Sequence, residues 1–202
     1  IMNFKYYDIM SSLVAGYVLL VIGMYSFQIE YNNDYTVAYL AFAFLCGYVI
    51  NSVGSLLEPI YYFTIGGKPS TRLLDEGEKE HCWLYHLFIP SNTGINKVRF
   101  YETKNVRKIL IKELDGNNLS EDRLFSKAMR EVNGNQDSRV PDFNAHYALS
   151  RTILTTVLIS TVLLLISSYS SYWQSYLSIV VLLICWNRYK ERAYYYAREV
   201  LN

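Results

Sequence analysis

Residues 35–57 read YTVAYLAFAFLCGYVINSVGSLL, and Glu58-Pro59 follow. The stretch holds no Asp, Glu, Lys or Arg. An uncharged apolar run of about 20 residues is what a helix needs to cross a hydrocarbon core about 30 Å thick. Outward from it lie three more such runs, Ile9–Gln28, Thr152–Gln174 and Ser175–Asn187. None of the 19 Lys and Arg or 18 Asp and Glu falls in these runs. A mean hydropathy of +0.07 and 51% apolar residues would suit a soluble domain equally well, so the segregation of charge decides the class.

The fold expected is therefore an all-α polytopic membrane protein with four transmembrane helices, two plus two. Residues 1–65 form an N-terminal hairpin and 148–187 a second hairpin. Residues 66–147 form a mainly helical cytoplasmic insert, and 188–202 a cytoplasmic helical tail. The first run is expected to be retained. It is longer than a secretory apolar core, has no small-x-small cleavage site and is followed at once by a second span. Tyr is abundant, at 20 of 202 residues. Tyr17, Tyr25, Tyr35, Tyr61, Tyr62, Tyr169, Tyr172 and Trp173 fall near span ends, where an interfacial aromatic belt places them. Three cysteines, Cys46, Cys82 and Cys185, make no disulfide framework and fit a reducing face.

The loops orient the chain. Between the first two spans Glu30 and Asp34 occur with no Lys or Arg, and between the last two there is no charge. All cations sit at the N-terminal tip, in the central segment with its flanks, or in the tail. The positive-inside rule then places both termini and the insert in the cytoplasm.

Within the second span Ala43, Gly47, Asn51, Gly54, Ser55 and Glu58 follow helical spacing and make one small, polar face. Polar groups at depth turn toward a helix interface or a watery cavity. Two readings follow: Asn51, Ser55 and Glu58 line a pore, or Asn51 joins helices while Glu58 caps the span at the interface. Ser12, Gly16 and Gly23 in the first span, and Thr152, Thr155, Thr156, Ser160 and Thr161 in the third, point to close packing. In the tail Leu182, Trp186, Tyr189, Ala193, Tyr196 and Val200 step by four and three, a heptad seam running out of the fourth span. It is expected to pack on the insert or to join subunits, with Trp186, Tyr189, Ala193 and Tyr196 as the oligomer seam.

The insert is uneven in charge. Asp75, Glu76, Glu78 and Glu80 form an acidic cluster. Lys97, Arg99, Lys104, Arg107, Lys108 and Lys112 form a basic run. On a helix beginning near Thr103, Lys104, Arg107, Lys108 and Lys112 share a face while Val106, Ile109 and Leu110 turn inward. That face suits a phosphate-bearing ligand, an acidic partner or lipid headgroups, or is simply solvated. Ser120 opens a second helix with the stripe Leu124, Phe125, Ala128, Met129 and Val132, ended by Asn133-Gly134-Asn135. Pro141 opens the helix of the third span, and Gly66-Gly67 reads as a flexible exit from the second.

Chemistry is sparse. Cys82 and His86 could share a metal on a helix beside His81, but two more ligands are wanting, so no metal or other cofactor is expected. No Ser or Cys has a legible base, and no phosphate-binding Gly loop or nucleic-acid-binding motif is present, so no enzyme is expected.

The stretch Gly47–Pro59, then Gly66-Gly67-Lys68-Pro69-Ser70, and in the tail Asn187-Arg188-Tyr189-Lys190 and Tyr195–Leu201, together with the two-plus-two layout, resembles a diffuse group of small bacterial four-pass inner-membrane proteins. Some of that group accompany antiphage systems, such as the membrane components of Kiwa and Hailong defence. The resemblance implies an oligomeric inner-membrane effector or sensor whose cytoplasmic part meets a soluble partner or a nucleotide-type signal. The leading expectation is a homo-oligomer, taken as a tetramer, forming a gated pore with Asn51, Ser55 and Glu58 at the gate and Lys104, Arg107, Lys108 and Lys112 on the ligand. The alternative is a non-channel scaffold that holds a soluble effector.

Overall fold

In a computed structural model every described element is a helix. It describes residues 6–74, 103–114, 120–133, 138–167 and 172–202, with side chains for residues 9–74, 106–114, 120–132, 138–167 and 173–202. The elements are α1 (Tyr6–Ser26), a 3-10 turn (Asn33–Tyr35), α2 (Thr36–Thr64), α3 (Pro69–Leu74), α4 (Thr103–Glu113), α5 (Glu121–Asn133), α6 (Val140–Ile166) and α7 (Tyr172–Leu201).

Three segments, Ile9–Ser26, Asn33–Thr64 and Val140–Ile166, are long and apolar enough to cross a membrane. At 1.5 Å per residue α2 and α6 each run roughly 40 Å, longer than a crossing of a hydrocarbon core needs. α7 is not of that kind. Trp173, Gln174 and Tyr176 at one end and Trp186, Asn187 and Arg188 at the other confine its apolar core to Leu177–Cys185, roughly 14 Å of helix. The third helix also starts earlier than the uncharged run. Its first four turns carry Asp142, Asn144, His146 and Arg151.

Helix ends follow local chemistry. α2 closes in a Schellman motif: the Gly67 N–H bonds the Tyr62 carbonyl at 2.7 Å and the Gly66 N–H the Phe63 carbonyl at 3.2 Å. Gly66 (φ 86°) and Gly67 (φ 118°) supply the left-handed backbone, so the Gly pair is a firm stop rather than a loose exit. α1 ends the same way, with Ile29 N–H on Met24 and Gln28 N–H on Tyr25. Here Gln28 holds φ 55°, at a cost of about 1 kcal/mol against glycine. The Ser120 carbonyl accepts the N–H groups of Arg123 and Leu124, which makes it the N-cap of α5.

The chain divides into two units, residues 1–57 with 148–189 and residues 58–147 with 190–202. The divisions fall inside α2, α6 and α7, which run through without a break.

In the first unit α1 packs on α2 backbone to backbone. A Cβ on Gly16 would overlap the Ala43 carbonyl, and one on Gly47 would overlap Ser12. Ser12, Ala15 and Ala43 are buried there. On α6 Thr152, Thr155, Thr156, Ser160 and Thr161 are all buried. The four threonines return their hydroxyls to carbonyls four residues back in the same helix. Ser167 donates to the Ser26 carbonyl, and Tyr25 to Gln174. The outward side chains are large and apolar, among them Val37, Leu45, Leu56, Ile166 and Trp173.

In the second unit a core joins Leu73 and Leu74 of α3, Leu110 of α4, Leu124 and Ala128 of α5, Val140 of α6, and Tyr194, Ala197, Val200 and Leu201 of α7. The tail is thus a structural element of this unit. Of the four residues expected in an oligomer seam, Tyr189 and Ala193 are buried within the chain, and Tyr196 packs against this core. Those three side chains are spent inside the subunit, whereas Trp186 remains half-buried.

Candidate functional site

Among the described residues polar side chains gather in three places. The first lies on α2 and α6 in the first unit. Asn51 Oδ1 accepts from the Thr152 hydroxyl at 3.1 Å and from Arg151 Nη2 at 3.4 Å. One turn on, Gly54 leaves room for Thr155: a Cβ there would stand 2.9 Å from Thr155 Oγ1. Ala43, Gly47, Asn51 and Gly54 of the α2 face are therefore set against the chain's own α1 and α6. Ser55 is exposed and donates to the Asn51 carbonyl at 3.2 Å. Arg151 is the residue that sequence reasoning missed. It flanks the uncharged run, and only the fold brings it beside Asn51.

The second cluster is in the other unit. Glu58 accepts from the Tyr62 hydroxyl at 2.5 Å and from the Tyr147 hydroxyl. The two phenols lie 2.8 Å apart. Tyr147 stacks on Tyr196, with centroids 5.6 Å apart and planes 8° from parallel. Tyr196 in turn meets Phe125 edge-on and donates to Met129 Sδ at 3.5 Å. Burial, and then the Glu58 carboxylate, push the Tyr196 phenol up, so it stays a donor. Such hydrogen bonds to a carboxylate are of the strong, charge-assisted kind. They tie α2, α6 and α7 into one three-helix joint.

The third is a set of buried charges on α3 and α7. Lys190 is fully buried and Glu191 nearly so. Burial, with Arg72 adding to it and Glu191 opposing it, pulls the Lys190 amine down to about 8. Neither this set nor the tyrosine joint has a sequence spacing that would reveal it, since each joins residues far apart in the chain.

The basic face is rearranged. Arg107 turns inward and its Nη1 bonds the Leu74 carbonyl at 3.1 Å, closing the end of α3. Lys108 and Lys112 stay exposed; the side chain of Lys104 lies outside the described residues. Ile109, expected inside, is 56% exposed, and Ile111 and Leu114 join Val106 and Leu110 at the core instead. A 100° helical step explains it: Leu110 and Leu114 centre the inner face, which puts Lys112 opposite and Ile109 about 120° round, on the outward flank. His81, Cys82, His86 and the acidic cluster at Asp75–Glu80 lie outside the described residues.

No known protein family, curated protein or solved structure matches this chain.

Proposed function

We propose that the chain is a multi-pass protein of a bacterial inner membrane that works as a non-channel sensor and scaffold, holding a soluble partner at the bilayer in a defence role of the kind its sequence resemblance implies. α1, α2 and α6 cross the bilayer, and the uncharged stretch 172–187 of α7, roughly 24 Å of helix, makes the fourth crossing with its Trp and Tyr side chains in the headgroup layers and the bilayer thinned around it. The positive-inside rule puts both termini and the insert on the cytoplasmic side. One observation carries the choice of scaffold over pore. The face of α2 that a pore needs on its axis is occupied inside the subunit, by Ser12 against Gly47, Thr152 and Arg151 against Asn51, and Thr155 against Gly54. Glu58 is likewise engaged by Tyr62 and Tyr147.

A second reading, the homo-oligomeric gated pore, is favoured by the exposure of Ser52 and Ser55 on α2, polar positions that another copy would cover. Purified protein in liposomes separates the two. The scaffold passes no ions under applied voltage, and Asn51→Ala lowers its stability by about 1 kcal/mol, the worth of an interhelical hydrogen bond in a membrane, without opening a path. A conductance whose ion preference changes with Asn51→Ala or Ser55→Ala contradicts it.

A further inference from the structure

We infer that the outward face of α4, formed by Lys108, Ile109 and Lys112, docks on the acidic phospholipid headgroups of the bilayer that the chain spans. The inference rests on the membrane reading of α2. The first observation is the make-up of the face. Lys108 and Lys112 are exposed, and among the described residues neither takes an ion-pair partner. Ile109 flanks Lys112 at the edge of that face, with 56% of its surface open. The neighbouring acid, Glu113, is drawn off toward Lys127 at 3.6 Å, so the face is cationic beside one large apolar side chain. Cations beside an apolar residue is the arrangement that meets headgroups with its charge and the acyl boundary with its apolar group.

The second observation is reach. Arg107 fixes α4 to the Leu74 carbonyl at 3.1 Å. Leu74 closes α3, which starts at Pro69, directly after the Schellman stop that ends α2 at Thr64. One short linker and one six-residue helix separate α4's anchor from the end of a helix long and apolar enough to cross a membrane. That is a path of roughly 25 Å at most, from the rise per residue of extended and helical chain. Charge and reach together favour the bilayer surface over a distant soluble acid.

The test uses the full chain with Cys46, Cys82 and Cys185 replaced by Ala, carrying a fluorophore on Ile109→Cys. A second protein carries it on Leu45→Cys, an exposed position of α2. Both are read in nanodiscs with brominated acyl chains, of phosphatidylcholine alone or mixed with phosphatidylglycerol. The Leu45 probe is quenched in both discs. The Ile109 probe is quenched only with phosphatidylglycerol. Lys108→Glu with Lys112→Glu lowers its ratio of contacting to withdrawn states roughly thirtyfold, at roughly fivefold per lysine. An Ile109 probe that stays bright with phosphatidylglycerol, is quenched equally in both discs, or ignores the charge reversal overturns the inference and leaves the face to a soluble partner. An unquenched Leu45 probe overturns the membrane reading itself.

Discussion

Lys190 shows what burial does to a single charge in this chain. Its folded pKa of about 8 lies below the value of about 10.4 for an unfolded lysine. Between those two values the unfolded chain binds more protons than the folded one, so stability rises with pH. Below pH 8 the folded protein carries the cost of a buried ammonium, about 3 kcal/mol by the size of the shift. Lys190→Met has no such proton to lose. The melting temperature of the native protein relative to Lys190→Met is therefore expected to climb from pH 7.5 to pH 10 in detergent. A difference that stays flat across that range contradicts the placement of the amine. None of this is legible in the sequence, where Lys190 reads as one more cation of a basic tail. Its depth follows from α3 and α7 sharing one core, and no spacing rule foretells that Arg72 comes near enough to act on Lys190. Arg151 is the same lesson at the edge of a span: one residue outside an uncharged run is still inside the helix.

At the scale of elements, the close helix pair α1–α2 makes the sharpest demand. Gly47→Ala drives a methyl into the Ser12 backbone, and neither helix backbone can give way without separating the pair. Overpacking of this kind costs about 2–3 kcal/mol or more. Gly23, in the same helix as Ser12, has nothing within 4 Å of an added Cβ. Gly23→Ala is expected to be neutral or slightly stabilising, since Ala is the better helix former by about 1 kcal/mol. Thermal unfolding of the two variants side by side checks the order, and a Gly47→Ala protein as stable as the native one contradicts the packing. This much was readable for Ser12, Gly16 and Gly47, because small residues at helical spacing point to close approach before any partner is known, but Gly23, expected in the same packing, faces open space. The inner face of α4 was only half readable. The step of 100° per residue gave an amphipathic helix, but its phase was set by Leu110 and Leu114, and this reversed Ile109 and drew Arg107 inward.

For the whole molecule, the long apolar helices were legible because charge is excluded from them, and the tail helix because its apolar steps continue past Asn187. The start of α6 was legible from Pro141 at its opening, although Asp142, His146 and Arg151 precede the uncharged run within the same helix. Three helices, α2, α6 and α7, span the division between the two units. The account turns on where the polar face of α2 points: into its own subunit, against α6. Disulfide formation between Asn51→Cys and Thr152→Cys, in a chain otherwise free of cysteine and oxidised in native membranes, tests it most directly. The expected product is a cross-link within one chain, found by mass spectrometry in the monomer band. Cross-links found only between chains, or an Asn51→Cys thiol that reacts freely with a water-borne reagent, would contradict it.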